Sequence, residues 1–86
     1  MFVILVYDVG TKRVQKVMKR CRNYLHHVQR SVFEGNLTEA QLQRIKDELK
    51  GLIDVRMDAV SIYTVGSVRF SSKETIGVSS DIEMIK

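Results

Sequence analysis

The run Phe2-Val3-Ile4-Leu5-Val6-Tyr7 constrains this chain more than any other feature. Six consecutive apolar residues, rich in β-branched and aromatic types, predict a strand covered on both faces, and such a strand lies inside its sheet rather than at an edge. Asp8 ends the run. Val9-Gly10-Thr11 then reads as a turn, with Thr11 as N-cap of a following helix. The run is far too short to cross a bilayer and has neither the basic leader nor the small-residue cleavage site of a secretory signal. A cytoplasmic protein with no membrane partner is expected.

From Lys12 to about Leu25, the apolar residues Val14, Val17, Met18, Cys21 and Leu25 recur at three- and four-residue spacing, which predicts a helix with one buried stripe. Cys21 falls on that stripe and reads as a buried structural thiol. One cysteine cannot build a disulfide framework, and its spacing from His26 and His27 matches no zinc pattern.

Residues His27 to Glu34 alternate imperfectly and predict a strand kinked or bulged near Arg30 and Ser31, open to division into two. After Gly35-Asn36, the segment Thr38-Glu39-Ala40-Gln41 carries a capping box, Thr followed three residues later by Gln. It opens a second helix whose apolar face is Leu42, Ile45, Leu49 and Leu52 or Ile53. The mixed charges Arg44, Lys46, Asp47, Glu48 and Lys50 on its other face read as solvated. Asp58 to Val65 reads as a half-buried strand, and Gly66 as a turn.

The order strand, helix, strand, helix, strand predicts an α+β, ferredoxin-like fold: a mostly antiparallel sheet with two helices on one face. Residues 1–86 make a single domain. From about 67 to 86 the chain is Ser-rich, with Val68, Phe70, Ile76, Ile82 and Ile85 scattered along it, and is expected to be a tail or edge strand pairing across a homodimer. A chain of 86 residues buries a thin core, and the open sheet face needs a cover; both favour a dimer.

Charge is distributed unevenly. No acid lies between Asp8 and Glu34, while Lys12, Arg13, Lys16, Lys19, Arg20, Arg22 and Arg30, seven of the fourteen Lys and Arg residues, lie there. Such a cluster is the footprint of a surface that neutralises nucleic-acid phosphates, although a solvated helix face would look the same.

No nucleophile elbow, phosphate-binding glycine loop or zinc cluster is present. Asp8, by contrast, is a carboxylate fixed at a strand end near a cationic helix, an arrangement that Mg²⁺ (or Mn²⁺) and a phosphate backbone could share. The ordinary role of such an Asp is to cap the turn before the helix. One carboxylate is a poor metal site, so a two-fold axis bringing two copies of Asp8 together would link metal binding to dimerisation.

The segments Val6-Tyr7-Asp8-Val9, Lys12-Arg13-Val14, Val28-Gln29-Arg30-Ser31-Val32-Phe33-Glu34-Gly35 and Ile62-Tyr63, in this order, resemble the Cas-two family, the smaller of the two core CRISPR spacer-acquisition proteins. The resemblance implies a ferredoxin-like homodimer and a Mg²⁺-dependent endonuclease acting on single-stranded RNA or double-stranded DNA. It also implies a complex with the Cas-one integrase, in which the small dimer is the spacer on which DNA lies. By position, Asp8 matches the family's metal-binding, catalytic aspartate and Arg13 a basic residue at the helix start. Tyr7 and Phe33 match supporting aromatics, and His27 stands where some relatives have arginine. Three readings follow: a metal-dependent phosphodiesterase, a non-catalytic DNA-binding scaffold for the integrase, and a generic RNA-binding module. The last lacks closely spaced surface aromatics.

Overall fold

A computed structural model describes residues 1–65 and 70–78. The chain forms β1 (Phe2–Asp8), α1 (Val14–Arg22), β2 (His26–Gln29), β3 (Val32–Asn36), α2 (Glu39–Leu52), β4 (Ala59–Val65) and β5 (Phe70–Gly77). The five strands make one sheet in the order β2-β3-β1-β4-β5, with every neighbouring pair antiparallel. The first six elements give the ferredoxin-like βαββαβ arrangement, and β5 extends the sheet beside β4.

The central place of β1 follows from its apolar run, but among the described residues only one of its faces is covered. Val3, Leu5 and Tyr7 are buried, while Phe2, Ile4 and Val6 are half-buried and Asp8 is exposed. On the covered side, Val3, Leu5, Phe33, Val60 and Ile62 meet Val17 and Cys21 of α1 and Ile45 and Leu49 of α2 in one core. The pleat therefore puts Asp8 on the same, uncovered side as Ile4 and Val6.

Helix α1 is shorter than expected at both ends. Its N-cap is Arg13, which makes no side-chain cap bond, and not Thr11. The reason is a tight turn in which the Gly10 carbonyl accepts from both Arg13 N–H (2.9 Å) and Val14 N–H (3.1 Å), so the helix starts beyond it. At the other end, the Cys21 carbonyl accepts from Tyr24 N–H and Leu25 N–H in a tightened last turn, which keeps Leu25 buried outside the helix. Lys19, Arg20 and Arg22 lie in the last turn, where cations suit the helix dipole.

The predicted kinked strand is a hairpin, β2 and β3. Its register slips between His27 and Gln29, and Arg30, with φ of 30°, makes the turn. The capping box on α2 forms as expected, with Gln41 N–H donating to Thr38 Oγ1 (3.1 Å) and Thr38 N–H to Gln41 Oε1 (2.9 Å). The charged face of α2 is less solvated than expected, because Lys46 pairs with Glu74 of β5 (2.7 Å) and Glu48 accepts from Tyr24 (3.1 Å).

Residues Phe70–Gly77 form an edge strand paired with β4 within the subunit, and Ile76 is buried in this chain's own core. The expected turn at Gly66, and Val68, Ile82 and Ile85, lie outside the described residues. Among the described residues no helix is long and apolar enough to cross a membrane.

Candidate functional site

The end of β1 is held by a residue 50 positions away in sequence. In the β1–β4 ladder Asp8 faces Ala59, which sets Asp58 beside the turn that follows β1. Asp58 is 1% exposed. Its Oδ1 accepts from Gly10 N–H (3.0 Å) and Arg13 Nη2 (3.0 Å), and its Oδ2 from Arg13 Nε (2.5 Å) and Asp54 N–H (2.9 Å). Four donors satisfy a buried carboxylate fully, and the two from Arg13 are the parallel, charge-assisted kind. The Arg13 guanidinium, ahead of the two backbone amides, holds the Asp58 carboxyl far below the usual carboxylate range against the opposing effect of burial.

Asp8 has no such role. Its carboxylate is exposed and makes no hydrogen bond or ion pair among the described residues, so the turn-capping function open to it in sequence belongs to Asp58. It borders a groove whose walls include Tyr7, Met18, His27, Arg30 and Ser31. Among the described residues, no three His, Cys, Asp or Glu side chains come together as a metal cluster.

The predicted cations separate into distinct groups. Lys16, Lys19, Arg20 and Arg22 line a second groove with Asn23 and Leu52, on the other flank of α1 from the Asp8 groove. Lys12 is exposed at the turn, and Arg30 alone of the seven borders the Asp8 groove. Arg13 is committed to Asp58, with its side chain 25% exposed. Arg20 lies 3.2 Å from Glu48 Oε1, an ion pair without hydrogen-bond alignment.

The supporting aromatics are core residues. Tyr7 and Phe33 are buried with ring centroids 6.0 Å apart. Burial, ahead of neighbouring Cys21, raises the Tyr7 phenol above its ordinary value. His27 stacks on Phe33 at 4.4 Å, and its Nε2 lies 2.5 Å from the Arg30 carbonyl. A carbonyl only accepts, so Nε2 carries a proton and, in the neutral ring, Nδ1 accepts from Arg22 Nη2 at 3.5 Å. His27 thereby braces the hairpin turn that carries Arg30. His26 is exposed on the edge strand.

Asp58 had no local signal in the sequence. It stands at a strand start among ordinary loop residues, and apart from the Asp54 amide four positions back its partners, Arg13 and Gly10, are 45 and 48 positions away. Only the β1–β4 register brings them together.

These features define an α+β protein of ferredoxin-like topology with a free carboxylate at the end of its central strand and a separate basic groove. The chain belongs to the CRISPR associated protein Cas2 family, whose model matches residues 1–73. It is similar to a protein of Pyrococcus furiosus named CRISPR-associated endoribonuclease Cas2, 46% identical over 81 residues, covering 94% of this chain and 93% of the relative. A Thermotoga maritima protein of the same name is 45% identical over 78 residues, 91% of this chain and 90% of the relative. Among solved structures, Streptococcus pyogenes Cas2 superposes with a TM-score of 0.72 at 38% identity, covering 79% of this chain and 89% of that one.

Proposed function

We propose that this chain is a metal-dependent endonuclease of CRISPR spacer acquisition. As a homodimer in the cytoplasm it cleaves single-stranded RNA or double-stranded DNA, and it binds DNA in a complex with the Cas-one integrase. The observation that carries this reading is the Asp8 carboxylate: exposed, unpartnered among the described residues, and mounted on a fastened strand end. A surface carboxylate with no internal role is free to serve a ligand. The names of the relatives, CRISPR-associated endoribonucleases, favour RNA cleavage.

Asp8 supplies half of such a site, and with a second copy its carboxylate fits Mg²⁺ or Mn²⁺, which are ordinarily held by one or two carboxylates together with waters and substrate phosphates. Such an ion, when bound, supplies charge neutralisation at the phosphoryl oxygens and a water of lowered pKa. Asp8 contributes the oxygen ligand, Arg30 attracts phosphate at the rim of the same groove, and Lys16, Lys19 and Arg22 hold the backbone on the far flank of α1. Asp8 shares the uncovered sheet face with the half-buried Phe2, Ile4, Val6 and Val32. A second copy packed on that apolar face would bring a second Asp8 towards the first, which is what a shared metal needs.

Substituting Asp8→Asn is expected to abolish Mg²⁺-dependent cleavage while nucleic-acid affinity survives. Persistent cleavage by the purified variant would remove Asp8 from the mechanism. A second reading, a non-catalytic DNA scaffold for the integrase, is favoured by the separation of the basic groove from Asp8. It requires that charge reversal at Lys16, Lys19 and Arg22 impair spacer acquisition while Asp8→Asn leaves it intact.

A further inference from the structure

We infer that Asp58 is a positioning residue for the Asp8 site: its buried carboxylate fixes the end of β1, and so sets where the Asp8 carboxylate stands. The inference rests on the nuclease reading above and adds a residue to it. Asp8 and Ala59 are the last pair of the β1–β4 ladder, and beyond that pair a strand end ordinarily frays. Here it is fastened on both sides. Gly10 donates its N–H to Asp58 Oδ1, while its carbonyl accepts from Arg13 N–H and Val14 N–H at the start of α1. Arg13, in turn, is locked to Asp58 through Nε and Nη2.

The anchor itself cannot drift. Asp58 N–H donates to the Asp54 carbonyl (2.7 Å), the Asp58 carbonyl accepts from Val78 N–H (2.9 Å), and Asp54 N–H returns to Oδ2. Gly77, at φ of 93°, lies so close that a Cβ there would collide with the Asp58 carbonyl. A Cβ on Gly10 would come within 2.7 Å of Arg13 Nη2, so the turn is packed against the fork as well. The arrangement holds an otherwise unsupported exposed carboxylate on a rigid mount, as a site demands when a displacement of about 1 Å can cost about a hundredfold in rate.

The test combines amide measurements with kinetics. In the wild-type protein, Gly10 N–H is expected to exchange at least about a hundredfold more slowly than in an unfolded chain; exchange at the unfolded rate overturns the inference without any variant. In Asp58→Asn, backbone order parameters at Val9 and Gly10 should fall from about 0.85 to below about 0.6, with α2 unchanged. Under Mg²⁺ the same variant should lose about ten- to a hundredfold in kcat, while KM for RNA stays within about twofold, because Lys16, Lys19, Arg22 and Arg30 make no bond to Asp58. A rigid strand end in Asp58→Asn, or a mobile one with kcat unchanged, overturns the positioning role. If the wild type itself shows no Asp8-dependent cleavage, the nuclease reading falls, and the exchange and order-parameter results still decide whether Asp58 positions Asp8.

Discussion

Asp58 grips Arg13 through two parallel hydrogen bonds, Nε to Oδ2 at 2.5 Å and Nη2 to Oδ1 at 3.0 Å, across 45 residues of sequence. The pair joins the start of α1 to the start of β4 and encloses the Gly10 turn between them. Breaking it leaves the Gly10 and Asp54 amides facing a site with no acceptor. Asp58→Ala is therefore expected to cost about 3–5 kcal/mol of unfolding free energy, measured by urea denaturation.

The same pair fixes an acid limit. The Asp58 carboxyl is held well below its unfolded value of 3.8, chiefly by Arg13. A depressed folded pKa contributes stability that is complete above the unfolded pKa and lost as pH falls through the folded one. Thermal midpoints should hold down to about pH 4 and then decline. In Asp58→Asn the decline below pH 4 should be shallower, as seen by calorimetry across pH 2–5.

Asp8 should behave oppositely. Because its side chain is exposed and has no partner among the described residues, Asp8→Asn is expected to change unfolding free energy by less than about 0.5 kcal/mol while removing metal-dependent cleavage. Paired denaturation and cleavage assays on one preparation check both halves.

The cations should differ in their effect on binding. Lys16 and Lys19 are exposed and face no carboxylate among the described residues, whereas Arg20 sits beside Glu48. Neutralising Lys16 or Lys19 should lower the slope of log affinity against log salt for duplex DNA by about 0.9 each, and Arg20→Ala by less. Titrations at four salt concentrations would resolve the difference.

Cys21 should be inert in the folded protein. Burial pushes its thiol up to about 12, so almost none is thiolate at neutral pH. Ellman's reagent is expected to react only as fast as the protein unfolds, and fast labelling under native conditions would contradict the packing of α1 against the sheet.

How far the sequence reached depended on the range of the forces involved. Period and composition are local, so the apolar run of β1, the stripe of α1 and the capping box Thr38–Gln41 were legible, and with them the ferredoxin-like order of elements. Charge density is also local, so the basic cluster was legible as a set. Its division was not: which cations point into which groove depends on the rotation of α1, and which are matched by carboxylates depends on Asp58 and Glu48 arriving from other elements.

The end of β1 shows the same limit. Sequence alone determined that a carboxylate follows the central strand and precedes a turn. It left two roles open for Asp8, capping the turn or facing a ligand, because both need only an acidic side chain at that place. Tertiary structure removed the first by bringing a second acid, Asp58, under the turn through the β1–β4 register. With the Gly10 amide satisfied from there, the Asp8 side chain makes no hydrogen bond or ion pair among the described residues.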